Sequence, residues 1–216
     1  MNAWDRPDYQ DTVRSDLLHF VPENVKTVLD IGCNRGAFGY AVKTMRDAEV
    51  WGVEPDPVSA AVAKERLDHV VVDIFHDRNE IPDGYFDLIV MNDSLEHMPD
   101  SMQALSLCKR KLKPTGRINC CVPNLRHVDN LEHILFEGDF CYEEQGIRDR
   151  THLRFFTRKS IVRLFKDAGF KVTHVSGINE TWWEPEKKLR RLIFRMFPEF
   201  TSDMRHVQWM VTAELP

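Results

Sequence analysis

From residue 13 to about residue 175, short apolar runs alternate with amphipathic stretches. This is the pattern of a mostly parallel sheet covered by helices on both faces. The pattern predicts a short helix over 13–20, then strands over 27–31, 50–53, 70–73, 86–91 and 117–122. Helices are expected over 36–45, 57–66, 101–111 and 158–168, the second opening on Pro57 in its first turn and the last ended by Gly169. Lys113-Pro114-Thr115-Gly116 reads as a turn. Two alternating runs, 171–176 and 207–214, predict an antiparallel pair. The stretch 123–157 has no clear period and is longer than ordinary connections, which marks it as functional or mobile.

The first strand and its successor carry the chemistry. Val28-Leu29-Asp30-Ile31-Gly32-Cys33-Asn34-Arg35-Gly36-Ala37-Phe38-Gly39 is an apolar strand running through a glycine turn into a helix. Gly52-Val53-Glu54-Pro55-Asp56 is a second strand that ends in a carboxylate. Together they form half of a nucleotide-binding crevice, so a ligand with a ribose is expected. The glycines are spaced GxxxGxxG, whereas NAD binding expects GxGxxG, and Asp30 at the mouth of the turn would repel a pyrophosphate. An acid there suits a cationic ligand such as S-adenosylmethionine, which carries a sulfonium and an ammonium beside its adenosine.

These residues resemble the first two motifs of class I S-adenosylmethionine-dependent methyltransferases. The resemblance implies an α/β, Rossmann-like, doubly wound seven-stranded sheet, mostly parallel with an antiparallel final strand. It also implies a cofactor site made of Asp30, Gly32, Cys33, Asn34 and Gly36 in the turn. Glu54 and Pro55 follow for the ribose, Asp73 and Ile74 for the adenine, and Asn92 for the methionine end. Asn34 stands where the family most often has glycine, a mild departure because asparagine tolerates the left-handed backbone. Tyr9 and Arg14 fall in a region that related chains use as a lid, and Arg14 can pair with the cofactor carboxylate.

Composition narrows the partners. A chain of 216 residues suits one α/β domain, and a net charge of -5 argues against a nucleic-acid polyanion. Five cysteines with no CxxC pair indicate neither a disulfide framework nor a zinc site, so no metal is expected and the reducing cytoplasm is the expected compartment. Residues 1–10 are polar where a signal peptide needs an apolar run.

On the substrate side, Asn92-Asp93-Ser94-Leu95-Glu96-His97-Met98-Pro99 lacks the Asn/Asp-Pro-Pro-aromatic motif of amide and amino methylation, which favours an oxygen acceptor. Asp149-Arg150-Thr151-His152-Leu153-Arg154-Phe155-Phe156-Thr157 resembles a subgroup of bacterial methyltransferases associated with polysaccharide and cell-envelope biosynthesis. Arg126, Arg150 and Arg154 beside aromatics suit an anionic sugar or sugar nucleotide. The candidate general bases are His152, His127 and His97, in that order.

The domain reading is a cap or lid over 1–26 and a cofactor-binding domain over 27–178 and 207–216. Residues 123–157 are a substrate-side insertion, and 179–206 are a helical insertion between the last two strands. Within that last insertion, 186–197 places Leu189, Leu192, Ile193 and Met196 on one helical face among basic residues. Such a helix packs on its own domain, on a second copy in a homodimer, or on an anionic membrane. The leading expectation is O-methylation of a small polar acceptor such as a glycan precursor. A non-catalytic binding subunit is the alternative. An NAD-dependent oxidoreductase is disfavoured further because no Tyr-x-x-x-Lys pair follows.

Overall fold

The computed structural model describes residues 11–184 and 186–216. Tyr9 lies outside the described residues. Seven strands form one sheet: β1 (Thr27–Ile31), β2 (Glu49–Val53), β3 (His69–Val71), β4 (Phe86–Asn92), β5 (Leu112–Pro123), β6 (Lys171–Glu180) and β7 (His206–Glu214). Their order is β3-β2-β1-β4-β5-β7-β6. The pairs from β3 through to β5 are parallel, and β7 runs antiparallel to both β5 and β6. The winding reverses between β1 and β4, which is where open α/β sheets open a ligand crevice.

The strand pleat sorts the core into two layers. Leu29, Ile31, Ile89, Met91, Ile118 and Cys120 join the cluster that includes Leu105 of α3 (Ser101–Lys111) and Ile161 and Phe165 of α5 (Arg158–Asp167). Val28, Val50, Leu88, Val90 and Cys121 face the other way, toward Phe38 and Val42 of α1 (Ala37–Arg46) and Ala63 of α2 (Pro57–Ala63). The helices start on local caps: Asp56 accepts from Ser59 N–H and Asp100 from Gln103 N–H, while Thr157 and Ser160 form a reciprocal box.

Several boundaries differ from the sequence expectation. The helix over 13–20 is a 3₁₀ helix, Ser15–Phe20, preceded by Arg14 in the left-handed region. β3 ends at Val71, so Asp73 and Ile74 belong to the loop beyond it. The Lys113–Gly116 turn does not precede β5 but bulges within it. Phe86 pairs with Leu112 while Leu88 pairs with Arg117, and the intervening residues leave the ladder. The stretch 123–157 contains α4 (Val128–Glu132) and a π turn, His133–Glu137. The helix expected over 186–197 spans α6 (Lys188–Met196) and is followed by α7 (Pro198–Thr201).

Candidate active site

A cleft of about 600 Å³ opens over the carboxyl ends of β1, β2 and β4 and the loop after β3. Its floor is the turn after β1. Gly32, at φ 77°, lines it, and a Cβ there would stand 2.8 Å from Ser94 Cβ, so only glycine lets the two loops approach. Asn34 follows in the left-handed region at φ 50°, and its N–H donates to Glu54 Oε2 at 2.8 Å. Asp56 N–H donates to Glu54 Oε1 at 2.9 Å. Burial raises the pKa of Glu54, and these two N–H donors oppose the rise. Each oxygen keeps a lone pair for a further donor, as a vicinal diol requires.

Pro55, Asp73 and Ile74 line the same cleft beside Glu54. Asp73 accepts from Ile74 N–H at 2.8 Å and lies 2.9 Å from His76 Nε2, and the His76 contact is the main reason its pKa is lowered. His76, Phe75 and Arg35 also line the cleft, although sequence reasoning gave them no role.

Asp30, Cys33 and Gly36 lie beneath the turn and do not line the cleft. Asp30 shares the parity of Val28, so its carboxyl is directed into the α1 layer rather than at a ligand; a Cβ on Gly39 would lie 3.4 Å from Asp30 Oδ2. That oxygen is buried without a hydrogen-bond partner among the described residues. Burial, and then the nearby Glu54, push the Asp30 pKa up to about 7. Cys33 packs its sulfur against Gly52, where a Cβ would have no room. Gly36 supplies the left-handed start of α1.

At the end of β4 the lining residue is Asp93, at φ 51°, instead of Asn92. Arg14 forms an ion pair with Asp93 and bonds Asp16 and Gln208, and Gln208 also donates to Asp93. Arg14, expected from the resemblance to meet the cofactor carboxylate, is not among the lining residues and meets Asp93, which is. The Asp93 pair and its neighbours raise the Arg14 pKa despite burial.

The far end of the cleft is formed by His97, Met98, Pro99, Gln103, Leu107, Thr151 and Leu153. Leu153 and Arg154 donate their N–H groups to the Glu96 carbonyl at 2.8 and 3.0 Å, which latches the 149–154 segment onto the 3₁₀ turn Leu95–His97. His97 Nδ1 lies 3.1 Å from the Thr151 carbonyl, and His152 Nδ1 lies 3.1 Å from the Ile147 carbonyl. The two rings meet edge to face with centroids 4.8 Å apart. Behind them Glu96 is 1% exposed, and burial, then Asp93, raise its pKa well above the usual carboxylate range.

Other expected site residues lie elsewhere. His127 is buried, 3.1 Å from Thr181 Oγ1 and 3.6 Å from Asp129, and burial lowers its pKa; it does not line the cleft. Arg126 pairs with Asp203 and covers the Phe200 ring. Arg150 pairs with Glu144, and Arg154 bonds the Pro99 carbonyl. None of the three arginines lines the cleft: Arg126 and Arg150 are held by acids outside it, and Arg154 by the carbonyl of Pro99 at its edge. Helix α6 does not pack its apolar face on its own domain. Arg190 and Phe194 are buried, with Phe194 stacked on Trp182, while Leu189, Leu192, Ile193 and Met196 are exposed. Arg190 decides this orientation by bonding Glu132 at 2.7 Å and Asp129 at 2.5 Å.

A model of the family described as "Methyltransferase domain" matches residues 5–175. The chain is 30% identical over 168 residues to a "Ubiquinone biosynthesis O-methyltransferase" of Pseudomonas paraeruginosa, covering 71% of this chain and 68% of that protein. Among solved structures it resembles a SAM-dependent methyltransferase from Archaeoglobus fulgidus, with a TM-score of 0.68, 20% identity, and coverage of 93% of this chain and 92% of that one. A SAM-dependent methyltransferase from Aquifex aeolicus gives a TM-score of 0.60 at 16% identity, over 97% and 93% of the two chains. The glycine cradle at Gly32 and the doubly accepting Glu54 suit the small backbone approach and the ribose of S-adenosylmethionine. The chain belongs to the methyltransferase domain family, and it is an enzyme whose cofactor is S-adenosylmethionine.

Proposed function

We propose that this protein transfers a methyl group to a hydroxyl oxygen of a small acceptor that carries an apolar ring. The observation behind this reading is the far end of the cleft, where His97 is set among Met98, Pro99, Leu107 and Leu153. Bound S-adenosylmethionine supplies a methyl group already activated on a sulfonium. What remains for the protein is alignment, worth about 7–11 kcal/mol at best, and removal of the acceptor proton. In this reading the apolar side chains hold the ring and exclude water. His97, oriented through Thr151, is the base at the acceptor hydroxyl, and His152 and Glu96 stand behind it as positioning residues. Glu54 holds the ribose, Asp73 and Ile74 the adenine, and Asp93 the methionine end.

The name of the Pseudomonas relative supports an oxygen acceptor, as does a 33% identical stretch shared with a 27-O-demethylrifamycin SV methyltransferase of Amycolatopsis mediterranei. The committed arginines weigh against an anionic sugar. Exposed Leu189, Leu192 and Met196, flanked by Lys188, Arg191 and Arg195, support docking on an anionic membrane from the cytoplasmic side, where an apolar acceptor would be found. No described helix is long and apolar enough to cross a membrane.

The test is methyl transfer from labelled S-adenosylmethionine to matched acceptors, a dihydroxylated aromatic ring and a hexose phosphate. Turnover on the aromatic hydroxyl, lowered at least 10-fold in His97→Gln, is expected. Turnover on the sugar alone would replace this reading with the glycan one. Cofactor binding without turnover on any acceptor would favour a binding subunit.

A further inference from the structure

We infer that Glu96, His97 and His152 together bind one divalent transition-metal ion in the wall of the cleft. One ligand atom from each residue lies within 4.8 Å of the others. His152 Nε2 is 3.9 Å from Glu96 Oε1. The second, independent observation is Glu96 itself. Its side chain is 1% exposed, and neither carboxylate oxygen has a hydrogen-bond partner among the described residues. A buried carboxylate in that condition costs several kcal/mol unless it is protonated or meets a cation.

The outer contacts favour the cation. An imidazole that ligates a metal through one nitrogen usually donates its other N–H to a carbonyl or carboxylate, which fixes tautomer and ring orientation. Both histidines have that partner, His97 Nδ1 at the Thr151 carbonyl and His152 Nδ1 at the Ile147 carbonyl. Donation there leaves the lone pair of each ring on Nε2. Metal–ligand distances of about 2.1 Å require the three side chains to draw together by roughly 1 Å. The latch from Leu153 and Arg154 to the Glu96 carbonyl already holds the two segments in register.

Two imidazoles and one carboxylate make the donor set of facial sites for Fe²⁺ and Mn²⁺, and they also suit Zn²⁺, while Mg²⁺ and Ca²⁺ prefer all-oxygen shells. Three protein ligands leave positions open toward the cleft that His97 lines. A hydroxyl coordinated there would lose its proton to solvent at a lowered pKa, so with the ion bound His97 serves as a ligand in place of a base. This last clause rests on the hydroxyl acceptor proposed above. Metal binding itself does not.

The experiment is titration of chelator-treated full-length protein with Zn²⁺ and, separately, Mn²⁺, followed by calorimetry. We expect one site at micromolar affinity or tighter, weakened at least 10-fold in Glu96→Gln and His152→Asn and unchanged in the exposed control His19→Asn. Because the buried variants can lose their fold, the same ion is followed in the unmodified protein. Substoichiometric Mn²⁺ should broaden the ring resonances of His97 and His152 before those of the other seven histidines. Broadening that spares His97 and His152, or Zn²⁺ binding equally strong in folded Glu96→Gln, overturns the inference. Retained S-adenosylmethionine binding in that case would show that the cofactor site stands without it.

Discussion

The backbone N–H of Asn34 donates to Glu54 Oε2 at 2.8 Å, so the left-handed turn after β1 and the acid after β2 hold each other in place. With Asp56 N–H on the other oxygen, Glu54 must be an acceptor at both ends. Glu54→Gln puts an NH₂ group against one of these donors. S-adenosylmethionine affinity is expected to fall 10- to 100-fold, about 1.4–2.8 kcal/mol, with the fold retained; calorimetric titration measures it. An unchanged dissociation constant would remove Glu54 from the ribose site.

Asp30 makes the protein pH-dependent. Its folded pKa is raised to about 7 by burial and Glu54, while unfolded aspartate titrates near 4. Between those values the folded state binds more protons, so raising the pH lowers stability across that window and costs nothing further above it. Urea melts of the wild type should lose a few kcal/mol from pH 4 to pH 8, and Asp30→Asn should flatten that loss. A sulfonium bound in the cleft above this turn would favour the ionised carboxyl through the floor rather than by contact. Cofactor binding near pH 7 should therefore release a fraction of a proton, and S-adenosylhomocysteine, which lacks that charge, should release less. Calorimetry in two buffers of different ionisation enthalpy reads both.

The legible part of this molecule was local. Alternation of apolar runs, Pro57 at a helix start, Gly169 at a helix end and the Gly32–Asn34–Gly36 turn can be read without any distant partner. The direction of Asp30 could not, since strand parity becomes a direction only once the layer holding α1 is known. His127 and His152 look alike in sequence and separate only through Thr181 and Glu96, residues far along the chain from each. Helix α6 was open for the same reason: its apolar face suits its own domain, a second copy or a membrane, and the choice turns on the acids of α4 that capture Arg190 from the opposite face.

Gly32→Ala tests the close approach to Ser94. The substitution adds a Cβ at 2.8 Å from Ser94 Cβ and forces alanine into φ 77°. A left-handed residue costs about 1–2 kcal/mol, and the clash adds to it. Combined with Ser94→Gly, the variant should regain the clash portion and keep the backbone portion. Melting temperatures of the two single and one double variant give the split; strict additivity would mean the loops do not touch.

Arg190→Ala should loosen the insertion without touching the cofactor. Removing the guanidinium leaves Glu132 with Lys187, and Asp129 with Lys187 and His127. Limited proteolysis within 179–206 is expected to accelerate several-fold while S-adenosylmethionine affinity stays within twofold. Equal proteolysis rates would show that Phe194 and Trp182 hold the helix by themselves.

The position of β7 between β5 and β6 also sets an order of events. β6 leaves the ribosome before β7 yet has no other neighbour in the sheet, and β5 keeps an open edge until β7 arrives. A nascent chain therefore carries two waiting strands, and the last one made must enter as a wedge, a non-local step of the kind that slows folding. Chains stopped before residue 206 should bind a dye for exposed apolar surface, and release of the full chain should quench it.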